Sequence, residues 1–244
     1  MPTEKLFFDE YSIFYETSST GSHHNRLNNR YMGMIEHNKE IIKNSTILDL
    51  ASHDGRWAFA ALKNGAKKVI GIEARQDLIK KAESNLRSYG IPNEKFSFIQ
   101  GDIFEEIKNL KNEKIDIVFC FGVYYHIMNH LLLLYEIQKL NPKFLIIDTN
   151  VEVSNQPVIY MKEESAVIEG DPVPNTPIYD NKIIMGRPSV PALNMMLKFT
   201  NFEFEYFDWK NAGISDWDHM ETYRDQKRIT VLAKNKEFEK KDKL

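Results

Sequence analysis

Three short apolar runs in the first half of the chain each lead to an acidic residue: Thr46-Ile-Leu-Asp-Leu50 carries Asp49, Val69-Ile-Gly-Ile-Glu73 ends at Glu73, and Phe98-Ile-Gln-Gly-Asp102 ends at Asp102. Two more runs follow at 115–121 and 143–148, with stretches of helical period between them. Short apolar runs bounded by turn residues and alternating with amphipathic helices read as βαβ units. Repeated βαβ units can only bury their strands in a parallel sheet with helices on both faces. The expectation is therefore an α/β chain with five parallel strands over 46–50, 68–73, 96–100, 115–121 and 143–148.

The punctuation agrees with this reading. Leu78, Ala82, Leu86 and Tyr89 keep one helical face behind a candidate Asp77 cap, with Gly90 and Pro92 as the stop. Gly65 closes a helix that begins near Gly55, and the apolar stretch from His130 to Leu140 ends before Pro142. Residues 151–188 hold five prolines and two glycines without sustained periodicity, which suggests a substrate-side insertion or lid. Ser189 caps a helix with Pro191 in its first turn, and the alternating runs 202–207 and 228–233 suggest an antiparallel edge pair. The reading is one domain over 1–244: a helical cover at 1–45, a core at 46–150, the insertion at 151–188, a last helix and two strands at 189–234, and a tail at 235–244.

Charge and cysteine content narrow the chemistry. A net charge of −3 argues against a broad phosphate-tracking surface, and the single Cys120 excludes an internal disulfide and a cysteine metal cluster. His23 and His24 are adjacent, not one helical turn apart, and no acidic neighbour completes a metal triad, so no metal is expected. No apolar run approaches the ~18 residues of a membrane span. The first residues turn acidic and aromatic at once, so a cytoplasmic protein without membrane association is expected.

The order of the three carboxylates suits an adenosine. Glu73 lies 24 residues after Asp49, near the roughly 20-residue offset of a carboxylate that accepts from both ribose hydroxyls. Asp102 can accept from the adenine amine while Ile103 covers the ring. A Gly-x-Gly-x-x-Gly nicotinamide fingerprint is missing, and Asp49 would repel a pyrophosphate yet favour a cationic ligand. Each position has a plainer alternative: a simple strand-turn-helix connection for the loop, a solvated strand end for Glu73.

The spacing Asp49-x-Ala51-x-His53-x-Gly55 resembles the Asp-x-Gly-x-Gly-x-Gly signature of class I S-adenosylmethionine-dependent methyltransferases, with alanine and histidine in the first two glycine places. The segment Ile115-Asp-Ile-Val-Phe-Cys-Phe-Gly-Val-Tyr-Tyr-His-Ile127 is similar to the fourth-strand motif of the same family, in particular the branch of tRNA wobble-uridine methyl and carboxymethyl transferases. The resemblance implies a Rossmann-like seven-stranded sheet, mostly parallel with an antiparallel last strand. It implies S-adenosylmethionine as cofactor and S-adenosylhomocysteine as product.

Donor contacts are then expected from Arg30, Asp49, Ala51, His53, Gly55, Trp57, Glu73, Ala74, Asp102, Ile103, Phe121 and Gly122. Arg30, or Arg26 beside it, would bind the methionyl carboxylate bidentately, while Trp57 walls the donor or fills core. His126 is the candidate base, because imidazole titrates near pH 6.5, with a packing or helix-cap histidine as the alternative. Tyr124 and Tyr125 are expected at the pocket floor and Arg187 on the acceptor side. The expected reaction is methyl transfer to an oxygen or nitrogen of a small molecule. A tRNA acceptor and a non-catalytic nucleoside-binding protein are the rival readings.

Overall fold

The computed structural model describes residues 6–17, 23–166 and 178–238. Gly21 and Ser22 of the amino-terminal cover, the middle of the insertion and the end of the tail lie outside the described residues. The first five strands are β1 (Thr46–Leu50), β2 (Lys68–Glu73), β3 (Phe96–Gln100), β4 (Ile117–Phe121) and β5 (Phe144–Asn150). They are followed by β6 (Ile159–Ser165), β7 (Lys182–Pro188), β8 (Phe202–Tyr206) and β9 (Arg228–Asn235). Seven of these make one sheet in the order β3-β2-β1-β4-β5-β9-β8, in which β1 to β5 are parallel and β9 runs antiparallel to both of its neighbours. The expected edge pair is thus split in role, since β8 is the edge while β9 inserts beside β5.

Ten α-helices accompany the strands among the described residues: α1 (Phe7–Glu10), α2 (Ile13–Glu16), α3 (His24–Met34), α4 (Lys39–Ile42), α5 (Arg56–Lys63), α6 (Gln76–Ser88), α7 (Ile103–Asn109), α8 (His130–Lys139), α9 (Val190–Phe199) and α10 (Glu221–Arg224). Strand alternation sends Ile47, Val69, Ile117, Phe119 and Ile146 to one face, where they meet α5, α3 and the aromatic rings of α1 and α2. Leu48, Leu50, Ile70, Val118, Cys120, Leu145 and Ile147 face the other way, against α7, α8 and α9. Both faces being covered explains why the central strands read as nearly continuous apolar runs. Ser189 accepts from Ala192 N at the start of α9, with proline in the first turn as expected. Asp77, by contrast, is the second residue of α6 and caps nothing: Arg75 holds the cap position, and its N–H donates to Glu73 Oε1 at 3.0 Å.

The insertion is more regular than its sequence suggests. β6 and β7 pair antiparallel from Ile159 opposite Pro188 to Ser165 opposite Lys182. Ile159, Tyr160 and Met161 all stay exposed, so no buried face imposes an alternating pattern on β6. The pair is fastened to the main sheet's end by Gly186 N donating to Ile127 O at 3.1 Å and by His130 Nε2 on Gly186 O at 2.9 Å.

Gly71, at the centre of β2 and opposite Asp49 of β1, is a point of close approach. A Cβ there would lie 2.4 Å from Phe98 Cδ1 and 2.6 Å from Ser52 Oγ, so the turn after β1 closes over β2 only because this position has no side chain. Gly71→Ala is expected to lower the unfolding free energy by about 1–3 kcal/mol, read from the urea midpoint at constant m-value; an unchanged midpoint would show that the Phe98 ring and the Ser52 turn move aside without cost.

Candidate functional site

A cavity of about 600 Å³ opens at the carboxyl ends of β1, β2 and β4. That end is where parallel strands hand over to helices, and where side chains on the connecting turns can converge without disturbing the ladder. Ala51 and His53, on the turn after β1, line it. Ala51, His53 and Gly55 all adopt left-handed backbone, with φ of 53°, 53° and 78°. The conformation that glycine would take easily is kept at both positions where glycine has been replaced. A left-handed non-glycine residue costs roughly 1–2 kcal/mol, so the turn is held by other bonds: Ser52 N donates to Ile72 O at 3.0 Å, and His53 N to Glu73 Oε2 at 2.9 Å.

Glu73 is therefore a brace as well as a wall. It is 6% exposed, lines the cavity, and accepts from His53 N with one oxygen and Arg75 N with the other. A carboxylate has about four lone-pair sites, so both oxygens retain capacity for a ribose diol, now in a fixed orientation. Beneath the turn, Asp49 is 1% exposed and its Oδ2 meets no partner among the described residues. Burial, followed by the charges of Glu73 and Asp54, raises its pKa to about 8. Asp49 does not itself line the cavity, and neither does Gly55, which packs against Ala82.

Asp54, to which sequence reasoning gave no role, is the ionised carboxylate of this turn. Burial opposes its charge, but Arg56 (Nε to Oδ1 at 2.7 Å), His53 and Thr17 (Oγ1 to Oδ2 at 2.6 Å) together hold its pKa well below the ordinary value. Trp57, expected either to wall the donor or to fill core, is 6% exposed in the core and also edges the cavity against Phe121, with the Arg30 guanidinium 5.0 Å from its ring centroid. Asp102 caps α7 by accepting from Phe104 N at 2.8 Å with Oδ1, and it lines the cavity beside Ile103. Ala74, Phe121 and Gly122 complete this side.

The opposite end is built by residues far apart in the chain. His126, on the short turn Tyr124–His126 after β4, lies with Nδ1 2.5 Å from Glu164 Oε2 of β6. Burial pushes the Glu164 pKa up, but the hydrogen bond and charge of His126, with Lys162 and Arg187, bring it below the ordinary value. Arg30 donates to Asp148 Oδ1 at 3.0 Å, as does Arg228 through Nε at 2.8 Å. Arg26, Arg30, Arg228, Asn150 and Thr222 line this end with Tyr125.

Two expectations about the acceptor side do not hold in the geometry. Tyr124 is not on the pocket floor: it is fully buried, its phenol 3.5 Å from His130 O, because the turn directs Tyr124 into the core under α8 while Tyr125 and His126 reach the cavity. Arg187 on β7 does not line the cavity, and its charge acts on Glu164 instead. Of the residues absent from the sequence reading, Glu164, Asp148 and Arg228 had no local signal, since each is defined by a partner at least 38 positions away.

An α/β sheet of this order, with a left-handed turn after β1 and a carboxylate ending β2, defines the class I adenosyl-ligand fold. A family model described as a methyltransferase domain matches residues 41–186, and the chain belongs to that family, whose cofactor is S-adenosylmethionine. An 82-residue stretch is 32% identical to a putative ribosomal RNA large subunit methyltransferase of Methanocaldococcus jannaschii, covering 33% of this chain and 21% of that protein. A 122-residue stretch is 23% identical to ribosomal RNA large subunit methyltransferase I of Vibrio vulnificus, covering 48% and 31%. The matches thus span between a fifth and a third of the curated relatives' length. In fold, the chain is similar to the N-terminal domain of EvdMO1 with S-adenosylhomocysteine bound, at a TM-score of 0.62 and 16% identity over 85% of this chain and 80% of that one. The likeness stands at the level of the class I family; the narrower resemblance to the tRNA wobble-uridine branch receives no support from these matches.

The raised pKa of Asp49 has a sign that can be checked. Between its unfolded value of 3.8 and about 8 the native state holds a proton that the unfolded chain lacks. The associated stability is full below the lower value and falls as pH rises through the window. Asp49→Asn should therefore gain on the wild type between pH 4 and pH 8 without ligand, by up to a few kcal/mol, in urea denaturation across that range; a constant difference would mean that Asp49 is ionised throughout.

Proposed function

We propose that the chain transfers a methyl group from S-adenosylmethionine to an oxygen or nitrogen of a small molecule. The observation that carries this reading is the size and walling of the cavity. Its floor is the strand ends, while Ile183 and Ile184 of β7, Arg26 and Arg30 of α3 and Thr222 of α10 wall the rest. A volume of about 600 Å³ lies within the range of small-ligand sites, roughly 300–1,000 Å³, and the donor takes a large share of it.

The donor supplies an electrophilic methyl on a sulfonium, so displacement needs a nucleophile held in line and water kept away. Glu73 orients the ribose, Asp102 and Ile103 take the adenine, and the turn from Ala51 to Gly55 lets the backbone approach. Ionised Glu164 accepts from Nδ1–H of His126, which leaves Nε2 as the ring nitrogen able to take a proton. Glu164 is thus a positioning residue for His126, in the role a carboxylate plays toward the imidazole of a catalytic triad. A proton leaving the acceptor hydroxyl or ammonium would pass to Nε2.

A second reading has one observation in its favour: the curated relatives quoted above are named as ribosomal RNA methyltransferases. The two readings separate on salt, because RNA held through phosphates is released steeply as salt rises, whereas a small acceptor seated in the cavity is not.

Calorimetric titration tests the donor site. S-adenosylhomocysteine is expected to bind in the micromolar range and NADH not at all, and Glu73→Ala to weaken binding by about 1.5–3 kcal/mol. Absence of binding in the folded protein would sink the methyltransferase reading, as would retained wild-type affinity in the variant for the ribose assignment.

The base is tested by turnover. His126→Ala should lower kcat by about 10²–10⁴-fold while leaving S-adenosylhomocysteine affinity nearly unchanged. Glu164→Gln should lower kcat less and shift the pH profile; a profile identical to the wild type would remove Glu164 from the mechanism.

A further inference from the structure

Beyond the donor residues of the cavity, two guanidinium groups meet one carboxylate and a third stands beside them. Asp148 of β5 is fully buried and accepts from Arg30 Nη2 at 3.0 Å, Arg228 Nε at 2.8 Å and Arg228 Nη2 at 2.5 Å. Tyr223 OH and Thr230 Oγ1, each at 2.9 Å, complete its shell. Arg26 is the third cation. Its Nη1 donates to His219 O at 2.5 Å and reaches Thr222 Oγ1 at 3.4 Å, and its guanidinium carbon lies 5.3 Å from the Tyr223 ring centroid. These partners are neutral. Three positive charges therefore face one negative charge, and all three arginines line the cavity.

Such a surplus is expensive where water is scarce. Arg228 is 4% exposed and Arg30 9%, and Arg30 Nε is buried without a partner among the described residues. Burial, and to a lesser degree the charges of Arg30 and Arg228, lower the pKa of Arg26 although Tyr223 and Asp148 oppose this. Of the two arginines expected to meet the donor's methionyl carboxylate, Arg30 has a buried Nε without a partner among the described residues, whereas Arg26 is held by His219 O and Thr222 Oγ1; placed on Arg30, that carboxylate accounts for one of the two uncompensated charges. The other lies on the side of His126: the Arg228 guanidinium carbon is 5.5 Å from the Tyr125 ring centroid, and the Tyr125 and His126 ring centroids are 4.1 Å apart in a tilted pair.

We infer that the methyl acceptor carries an anionic group, a carboxylate or a phosphate monoester, held by Arg26 and Arg228 beside Tyr125 and His126. The inference rests on the donor reading above and names the acceptor's chemistry. The anion completes the charge balance that Asp148 leaves open. It also orients the acceptor, because a planar guanidinium grips a carboxylate or phosphate in a fixed plane, leaving the nucleophilic atom to be set against His126 by the length of the molecule.

The test measures binding of benzoate, phenyl phosphate and benzamide to S-adenosylhomocysteine-saturated protein at constant ionic strength, with chloride as the control anion. One of the two anions is expected to bind at least tenfold more tightly than benzamide, and whichever is tighter identifies the group. Arg26→Gln should reduce that preference at least tenfold with S-adenosylhomocysteine affinity within about twofold of wild type, and Arg26→Lys should restore part of it. Equal binding of benzoate, phenyl phosphate and benzamide, or an unchanged preference in Arg26→Gln, would overturn the inference. Anion binding that appears only without S-adenosylhomocysteine and competes with it would also overturn it, by assigning all three arginines to the donor. If S-adenosylhomocysteine fails to bind, the donor reading falls separately, and the same comparison on the free protein still decides whether Arg26 and Arg228 select an anion.

Discussion

The buried carboxylate of Asp148 is the constraint on which the walls of the cavity depend. From the end of β5 it draws in Arg30 of α3, Arg228 and Thr230 of β9, and Tyr223 of α10. Four elements that are distant in the chain are fixed around one atom pair. Burial alone would push its proton affinity up, yet the two guanidiniums and the Thr230 hydroxyl hold the pKa to about 2. Buried ion pairs of this kind are weak sources of net stability, because desolvation offsets most of the attraction. Their effect is geometric: an apolar replacement would close the same space without placing guanidiniums in the cavity wall.

The turn after β1 is held by a different set of bonds. A chain of left-handed residues at 51, 53 and 55 is intrinsically unfavourable with alanine and histidine in two of the three places. Glu73 offsets this by binding the backbone N–H groups of His53 and Arg75, one on each of two neighbouring turns. Asp54 anchors the turn from within by accepting from the side chains of Arg56 and Thr17. The strain and its compensation lie where a ligand must approach the backbone closely, which is where strained backbone usually persists. Alanine and histidine here adopt the left-handed backbone that glycine would take without strain.

Much of this was legible along the chain. The strand ends at Leu50, Glu73 and Gln100, the α9 cap at Ser189, and the convergence of Ala51, His53, Glu73, Asp102, Phe121, Tyr125 and His126 on one cavity follow from local pattern and from the rule that parallel strands deliver their turns to one end. Tyr124 was misplaced because two adjacent tyrosines on a turn cannot be assigned to core or cavity by spacing; the helices packed above it decide that. Nor could β6 be foreseen, since a strand exposed on both sides carries no alternation.

Sequence by itself determined the fold class and the turns that gather Ala51, His53, Glu73 and Asp102 at one end of the sheet, because apolar periodicity and turn chemistry act over a few residues and are written in order. Tertiary structure alone decided the surroundings of His126 and Asp148. Glu164 reaches His126, and Arg228 and Arg30 share Asp148, only after β6 has folded over the strand ends and β9 has inserted beside β5. A charge balance among residues 30, 148 and 228 has no local signature: it exists only when burial removes the water that would otherwise screen each charge separately.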